Sequence, residues 1–336
     1  MKRKLNIAII GCGSIGARHA EHINRLAVLK AVCDIKPDRA NNIASSYDAA
    51  SYDNIDTMLE SEKNLDLVSV CTPNGLHCEH TVKVLGKGFN VLCEKPMALS
   101  VEECDRMIIA MERVNRKLFI VKQNRFNPPI AELKKLLDEN KLGRILSFQL
   151  NCFWNRNDDY YKASDWKGTK KFDGGILFTQ YSHFIDLACW MFGHVTNCRT
   201  ITRNFIHGKT IEFEDSGASI IEFENGVIGT INFSINAYRK NMEGSITLFG
   251  EKGTVKIGGQ YVNTVEYQNI DGLELKSVPV AGKANDYGFY QGSMSNHDKV
   301  YECVISDITN NTSLCVGAIE GRMTVEAIEK IYASGI

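Results

Sequence analysis

Two α/β halves in tandem are what this 336-residue sequence predicts, and three observations carry the prediction. Up to about residue 123, short and nearly continuous apolar runs alternate with helical patterns, as in a parallel sheet covered on both faces. The first of those runs leads straight into Gly11-Cys12-Gly13-Ser14-Ile15-Gly16. Beyond residue 144 the runs alternate apolar with polar residues and are joined by short turns, as in an open, mostly antiparallel sheet. The length suggests two domains, divided as 1–123 and 124–336.

In order, the apolar run 5–10 is the first strand and a helix follows over 15–26. A second strand at 30–34 ends on Asp34, and Pro37 opens the next helix. Strands at 65–72, 89–94 and 118–123 are separated by helical patterns at 75–86 and 100–116. The second half begins with a helix at 129–140 and an alternating strand at 144–154. An irregular polar stretch leads to a long helix over 174–192. Alternating runs follow at 215–223, 226–235, 244–250 and 253–258. Asn225-Gly226, between two of them, is a strong hairpin signal. A last helix over 313–333 is expected to pack back onto this half.

Composition narrows the function. With 24% charged and 44% hydrophobic residues the chain is ordinary for a globular protein. A net charge of −1 gives no reason to expect nucleic acid or an anionic membrane as partner, so an anionic ligand needs a local site. The 11 cysteines lie mostly in apolar runs, with no CxxC pair and no His/Cys cluster at zinc spacing. That predicts buried reduced thiols in a cytoplasmic protein, with no metal and no disulfide framework. The N-terminal apolar stretch is short and runs into glycines, so it reads as a strand and not as a signal peptide.

Gly11, Gly13 and Gly16 match G-x-G-x-x-G in the context the mechanism requires, after a strand and at the start of a helix. The first glycine allows a tight turn, the second lets a pyrophosphate approach the backbone, and the third allows close helix packing. With Ser14 and Ile15 they form the candidate cofactor loop. An acid at Asp34 suits the ribose hydroxyls of NAD and repels the 2′-phosphate of NADP, so NAD is the expected cofactor. Thr72, Pro73, Asn74 and His77 follow the next strand, at the edge where such sheets bind ligands. A solvated place in a first helical turn is an equal reading for His77.

Glu94, Lys95 and Pro96 end the apolar run 89–94 at the same edge. Pro96 restricts its predecessor to extended backbone, which holds Lys95 in place. Beside an oxidised nicotinamide the lysine meets a like charge, and its pKa falls toward the range useful to a base. On this segment alone, a plain strand end serves as well. On the predicted helix 174–192, Thr179 and His183 share a face, and Asp186 lies one turn on, able to orient the imidazole. For an isolated helix a core histidine bonded to Asp186 is the commoner case.

Taken together, "GCGSIG", "CTPNGLH", "CEKP" and "GGILFTQYSHFID" in this order resemble the Gfo/Idh/MocA family of NAD(P)-dependent sugar oxidoreductases. The resemblance covers nearly the whole chain. It implies a Rossmann domain followed by an α/β domain whose open sheet often mediates oligomers, a dimer or a tetramer. It places the family's proton-transferring lysine on Lys95 and its helix histidine on His183, converging on one nicotinamide ring. It adds Glu94, Gln123 and Trp166 to the cofactor side. Many members carry Asp four residues before the histidine; here that place is Thr179. The Thr179-Gln180 variant, with 121–130, 152–161 and 165–169, resembles members that oxidise the 3-hydroxyl of a UDP-linked N-acetylglucosaminuronic acid for bacterial surface polysaccharides. On that reading Arg125, Arg156 and Lys162 in polar loops grip the anionic groups. Tyr160, Tyr161 and Trp166 cover a ring, Thr179, Gln180 and His183 meet the sugar, and His297 meets the diphosphate. An ordinary helix cap at Ser295 or Asn296 accounts for the last segment equally well.

Overall fold

The computed structural model describes residues 3–275, 284–286 and 291–335. In chain order its elements begin with β1 (Asn6–Ile10), α1 (Ser14–Leu26), β2 (Val28–Cys33), α2 (Pro37–Tyr47), β3 (Ala50–Tyr52), α3 (Ile55–Ser61), β4 (Leu67–Val70), α4 (His77–Gly86), β5 (Asn90–Cys93), α5 (Val101–Val114) and β6 (Leu118–Ile120). A 3-10 turn at Gln123–Phe126 leads to α6 (Pro128–Asp138), β7 (Ile145–Phe153), α7 (Asp158–Lys162), α8 (Ile176–Thr179) and α9 (Ser182–Phe192). There follow β8 (Val195–Arg203), β9 (Ser216–Phe223), β10 (Ile228–Ser234), β11 (Glu243–Gly250), β12 (Gly253–Gly258), β13 (Thr264–Ile270), β14 (Ala284–Asp286) and β15 (Gln291–Met294). The last elements are α10 (His297–Asn310) and α11 (Ala318–Ala333).

Two compact units result: Met1–Val121 with His297–Val325, and Lys122–Asn296 with Glu326–Ile336. The first is a six-stranded parallel sheet in the order β3-β2-β1-β4-β5-β6. Its central strands β1, β4 and β5 are buried on both faces, which explains their continuous apolar runs. Strand order reverses between β1 and β4, so the C-terminal ends of β1, β2, β4 and β5 carry the glycine loop, Asp34, Thr72 and the Glu94–Pro96 turn past one switch point. Ser100 caps α5 by accepting the Glu103 N–H at 3.1 Å, while Glu103 reaches back to the Leu99 N–H.

The boundary at 123/124 captures only part of this division. Helix α10 returns to the first unit, where Tyr301 Oη lies 2.8 Å from Ser69 Oγ of β4. The segment after α10 also covers the free edge of β6: the Ile120 N–H donates to the Val316 carbonyl at 3.1 Å, and Phe119 bridges Gly317. A disulfide joins Cys303 to Cys315, with Cα atoms 5.8 Å apart, and ties α10 to that segment. The expectation of reduced thiols therefore fails for this pair; the other nine cysteines are free and buried.

In the second unit a seven-stranded sheet runs β13-β12-β11-β7-β10-β9-β8. Only β7 and β10 pair in parallel. Asn225-Gly226 makes the expected hairpin, with Gly226 at φ 82°. Helix α9 covers one face: Phe192 packs 5.1 Å from Phe148 and Phe184 packs 5.5 Å from Trp154. The opposite face presents Ile201, Ile220 and Ile228, all exposed in this chain. The predicted long helix 174–192 is two helices, broken at Gln180 and Tyr181. Periodicity also overlooked β3, α3, β8 and β13, short or polar elements whose exposed positions blur the alternation.

Candidate active site

At the end of β1, Gly11 has φ +95°, and a Cβ there would stand 2.6 Å from the Cys71 carbonyl oxygen. A Cβ at Gly16 would collide with the Gly11 carbonyl. Both glycines are thus required by the protein's own packing. Gly13 is different: its φ is −74°, and a Cβ would meet nothing within 4 Å. The protein's own packing does not require this glycine, and its bareness fits a backbone approached by a pyrophosphate at the α1 N-terminus. Ser14 is exposed and Ile15 half-buried beside it. Asp34 Oδ2 accepts the Cys12 N–H at 2.7 Å and Oδ1 accepts the Lys36 N–H at 2.8 Å, so the acid at the end of β2 also braces the loop. The residues present fit NAD.

Beyond β4, Thr72 and Pro73 are half-buried and Asn74 is buried. Thr72 Oγ1 lies 3.0 Å from His80 Nδ1. His77 is not a surface residue. Its ring is 1% exposed, with Nδ1 2.7 Å from the Pro96 carbonyl oxygen and Nε2 2.9 Å from that of Thr72. It therefore joins two strand-end loops instead of facing a ligand. Glu94 also turns inward, its Oε1 2.8 Å from His19 Nε2 and 3.3 Å from His297 Nε2. Burial alone would raise the Glu94 carboxyl, but the bonds from His19 and His297 prevail and hold it well below the usual carboxylate range. Lys95 is half-buried, and its peptide bond to Pro96 is cis. His297, expected near a diphosphate, is instead 1% exposed and committed to Glu94.

In the second unit the candidate residues cluster around α8 and α9. Arg125 is not in an open polar loop. It donates from Nε and Nη2 to the two oxygens of Asp186, each at 2.8 Å, and stacks on Trp190. Lys122 Nζ lies 3.1 Å from Asp186 Oδ1. Asp186 is thus held by two cations. Burial would raise its carboxyl, but Lys122 and Arg125 drive it far below the ordinary range. His183 is 4% exposed; its Nε2 lies 3.5 Å from Gln123 Nε2, a long contact. Gln123 also donates to Ser293 Oγ at 3.1 Å.

Thr179 Oγ1 donates to the carboxylate of Asp173, a fully buried acid that sequence reading passed over. A carboxylate therefore does stand beside this turn, supplied from six residues upstream and not from position 179. Gln180 Nε2 donates to Tyr160 Oη at 3.2 Å. Tyr160 and Tyr161 are buried, not exposed aromatics awaiting a partner. Lys167 Nζ stands 3.9 Å from the Tyr160 ring centre, and Arg156 Cζ stands 5.2 Å from it. Burial and the Arg156 charge push the Lys167 amine down to about 8. Arg156 donates to Asn155 O at 2.6 Å and Asn241 Oδ1 at 3.2 Å, Trp166 is half-buried, and Lys162 pairs on the surface with Asp158. The side-chain oxygens of Gln123 and Gln180 are buried and find no hydrogen-bond partner among the described residues, as expected where a polar ligand is recognised. Sequence reading missed His19, Lys122, Asp173 and Lys167 because each lies inside an ordinary helix, strand or loop pattern and acquires its partner only through the fold.

Residues 5–122 match the oxidoreductase family with an NAD-binding Rossmann fold, and residues 130–256 match the GFO/IDH/MocA C-terminal domain. A solved structure of the WlbA dehydrogenase from Chromobacterium violaceum, in complex with NADH and UDP-GlcNAcA, is 32% identical. It covers 99% of this chain and 94% of that one, with a TM-score of 0.91. The WlbA dehydrogenase from Bordetella pertussis, in complex with the same two molecules, is 31% identical over 99% and 96%, with a TM-score of 0.88. Among sequence relatives, inositol 2-dehydrogenase 2 from Saccharopolyspora erythraea is 29% identical over 80% of this chain and 77% of its own. Fold, glycine loop and matches agree: the chain belongs to the Gfo/Idh/MocA family of NAD-dependent oxidoreductases.

Proposed function

We propose that this enzyme oxidises the 3-hydroxyl of a UDP-linked N-acetylglucosaminuronic acid to the 3-keto sugar, in the building of bacterial surface polysaccharide. The observation that carries this reading is the likeness, over 99% of the chain, to two dehydrogenases solved with NADH and that sugar nucleotide. NAD, when bound along the glycine loop and Asp34, supplies the hydride acceptor. Lys95 takes the hydroxyl proton, and His183 donates a hydrogen bond to the oxygen as it becomes a carbonyl. Thr179 and Gln180 face the sugar, and Arg156 supplies positive charge for its anionic groups. Arg125, already bound to Asp186, holds α9 and leaves the ligand to others.

A second reading is a free-polyol dehydrogenase, favoured by the inositol 2-dehydrogenase relative. Initial rates with UDP-N-acetylglucosaminuronate, myo-inositol and glucose, followed by NADH absorbance, decide between them. The first reading expects turnover with the sugar nucleotide alone; faster turnover of a free polyol discards it. The exposed isoleucines of β8, β9 and β10 further support a homo-oligomer formed through the open sheet face.

A further inference from the structure

We propose that three buried histidines, His19, His77 and His297, are positioning residues for Lys95, fixing the chain on both sides of it. The inference rests on the reading of Lys95 as proton acceptor. A lysine side chain has four rotatable bonds, so the protein controls its tip chiefly by fixing its root and its walls. Displacing a reacting group by an ångström can cost roughly 10²-fold in rate.

On the N-terminal side the fixed point is the Glu94 carboxylate. Its Oε2 accepts the Lys95 N–H at 3.1 Å, while Oε1 faces His19 Nε2 and His297 Nε2. A neutral His19 that donates from Nε2 must accept at Nδ1, and there Tyr301 Oη stands at 2.7 Å. Tyr301 Oη in turn lies 2.8 Å from Ser69 Oγ. Ser69, Tyr301, His19 and Glu94 thus form one chain in which each group donates to the next, from the middle of β4 to the lysine's own amide. On the C-terminal side, His77 lies between the Pro96 and Thr72 carbonyl oxygens. A neutral ring donates to one of them and a protonated ring to both. Helices α1, α4 and α10 therefore each send one histidine to the flanks of Lys95.

Packing alone does not require this. An apolar side chain at position 94 would avoid the cost of burying a carboxylate, and such replacements are often neutral or stabilising. The carboxylate does what an apolar group cannot: it ties two helices and the Lys95 amide to one point.

The test compares Glu94→Gln and His77→Gln with Lys95→Ala, measuring kcat per NAD-binding site, the NAD dissociation constant, and the primary isotope effect with C3-deuterated sugar nucleotide. We expect kcat to fall about 10- to 100-fold in the first two, with NAD affinity within about threefold and a larger isotope effect, because proton transfer is misaligned while the fold holds. Wild-type kcat per site in both variants, with Lys95→Ala inactive, overturns the clamp alone. Wild-type kcat in Lys95→Ala overturns the reading of Lys95 and the clamp with it. A readout without substrate is the carbon-13 NMR signal of dimethylated Lys95, identified by its loss in Lys95→Arg. It shifts in Glu94→Gln and His77→Gln if the clamp holds; an unmoved signal in both overturns it. Should Glu94→Gln fail to fold, His77→Gln and His19→Gln take the same measurements: the same fall in kcat and shifted signal support the clamp, and wild-type values in both overturn it.

Discussion

Two buried carboxylates, one in each unit, stand next to the candidate catalytic groups, and they are held in different ways. Glu94, adjacent to Lys95, is held by the imidazoles of His19 and His297, and burial keeps the His19 ring below its ordinary range. Asp186, three residues beyond His183, is held by Lys122 at 3.1 Å and Arg125 at 2.8 Å. The same chemistry, a buried acid beside a candidate catalytic residue, therefore yields one flank held by hydrogen bonds from imidazoles and one locked by ion pairs. The difference teaches that burial of an acid says little until its partners are known.

The sharpest way to break the locked side is Asp186→Asn. It leaves two buried cations without their counter-charge and should cost about 3–5 kcal/mol, read by urea unfolding. Because its folded pKa lies far below its unfolded value near 3.9, the Asp186 contribution is complete above that value and is lost only as pH falls through the folded one. Stability of Asp186→Asn equal to wild type at pH 7 would break the contrast.

A half-buried acid of the second unit, Glu214, sharpens it from the other direction. Burial pushes the Glu214 carboxyl up to about 7, against the hydrogen bond from Tyr332 Oη at 2.6 Å. Its folded pKa lies above the unfolded one, so its contribution is complete at pH 4 and is lost as pH rises through about 7. Glu214→Gln should therefore gain on the order of 3 kcal/mol over wild type at pH 8 and nothing at pH 4. A pH-independent difference in melting would contradict that.

How much of this was legible depended on whether the requirement is written in the backbone or in a partner. The loop of Gly11, Gly13 and Gly16 could be read because backbone conformation and close approach demand glycine wherever they occur. The Rossmann sheet could be read for a similar reason: strands buried on both faces leave continuous apolar runs. Arg125 and Asp186 could not be paired from sequence, because 61 residues separate them and each offered a nearer reading, Arg125 as a ligand's partner and Asp186 as that of His183. His297 stood in a polar stretch that suited a ligand, yet its partner Glu94 lies 203 residues away. The break at Gln180 and Tyr181 was hidden because both flanking helices keep their apolar residues on the buried side.

Gly13→Ala tests that distinction with a smaller effect. Its backbone is already in a region any residue adopts and a Cβ has open space, so folding stability should change by less than about 1 kcal/mol. NAD affinity should nevertheless fall at least about tenfold, or about 1.4 kcal/mol, by calorimetric titration. Unchanged affinity would mean that no pyrophosphate approaches this glycine. Smallest is Ser100→Ala, which removes the α5 cap behind the Lys95 turn and should cost about 1 kcal/mol of stability by urea unfolding.

The most direct measurement of the central claim is steady-state turnover of UDP-N-acetylglucosaminuronate by Lys95→Ala, with NAD binding measured alongside. Loss of a positioned proton acceptor should lower kcat by about 10²- to 10⁴-fold while NAD still binds. Turnover near the wild-type rate would contradict the account.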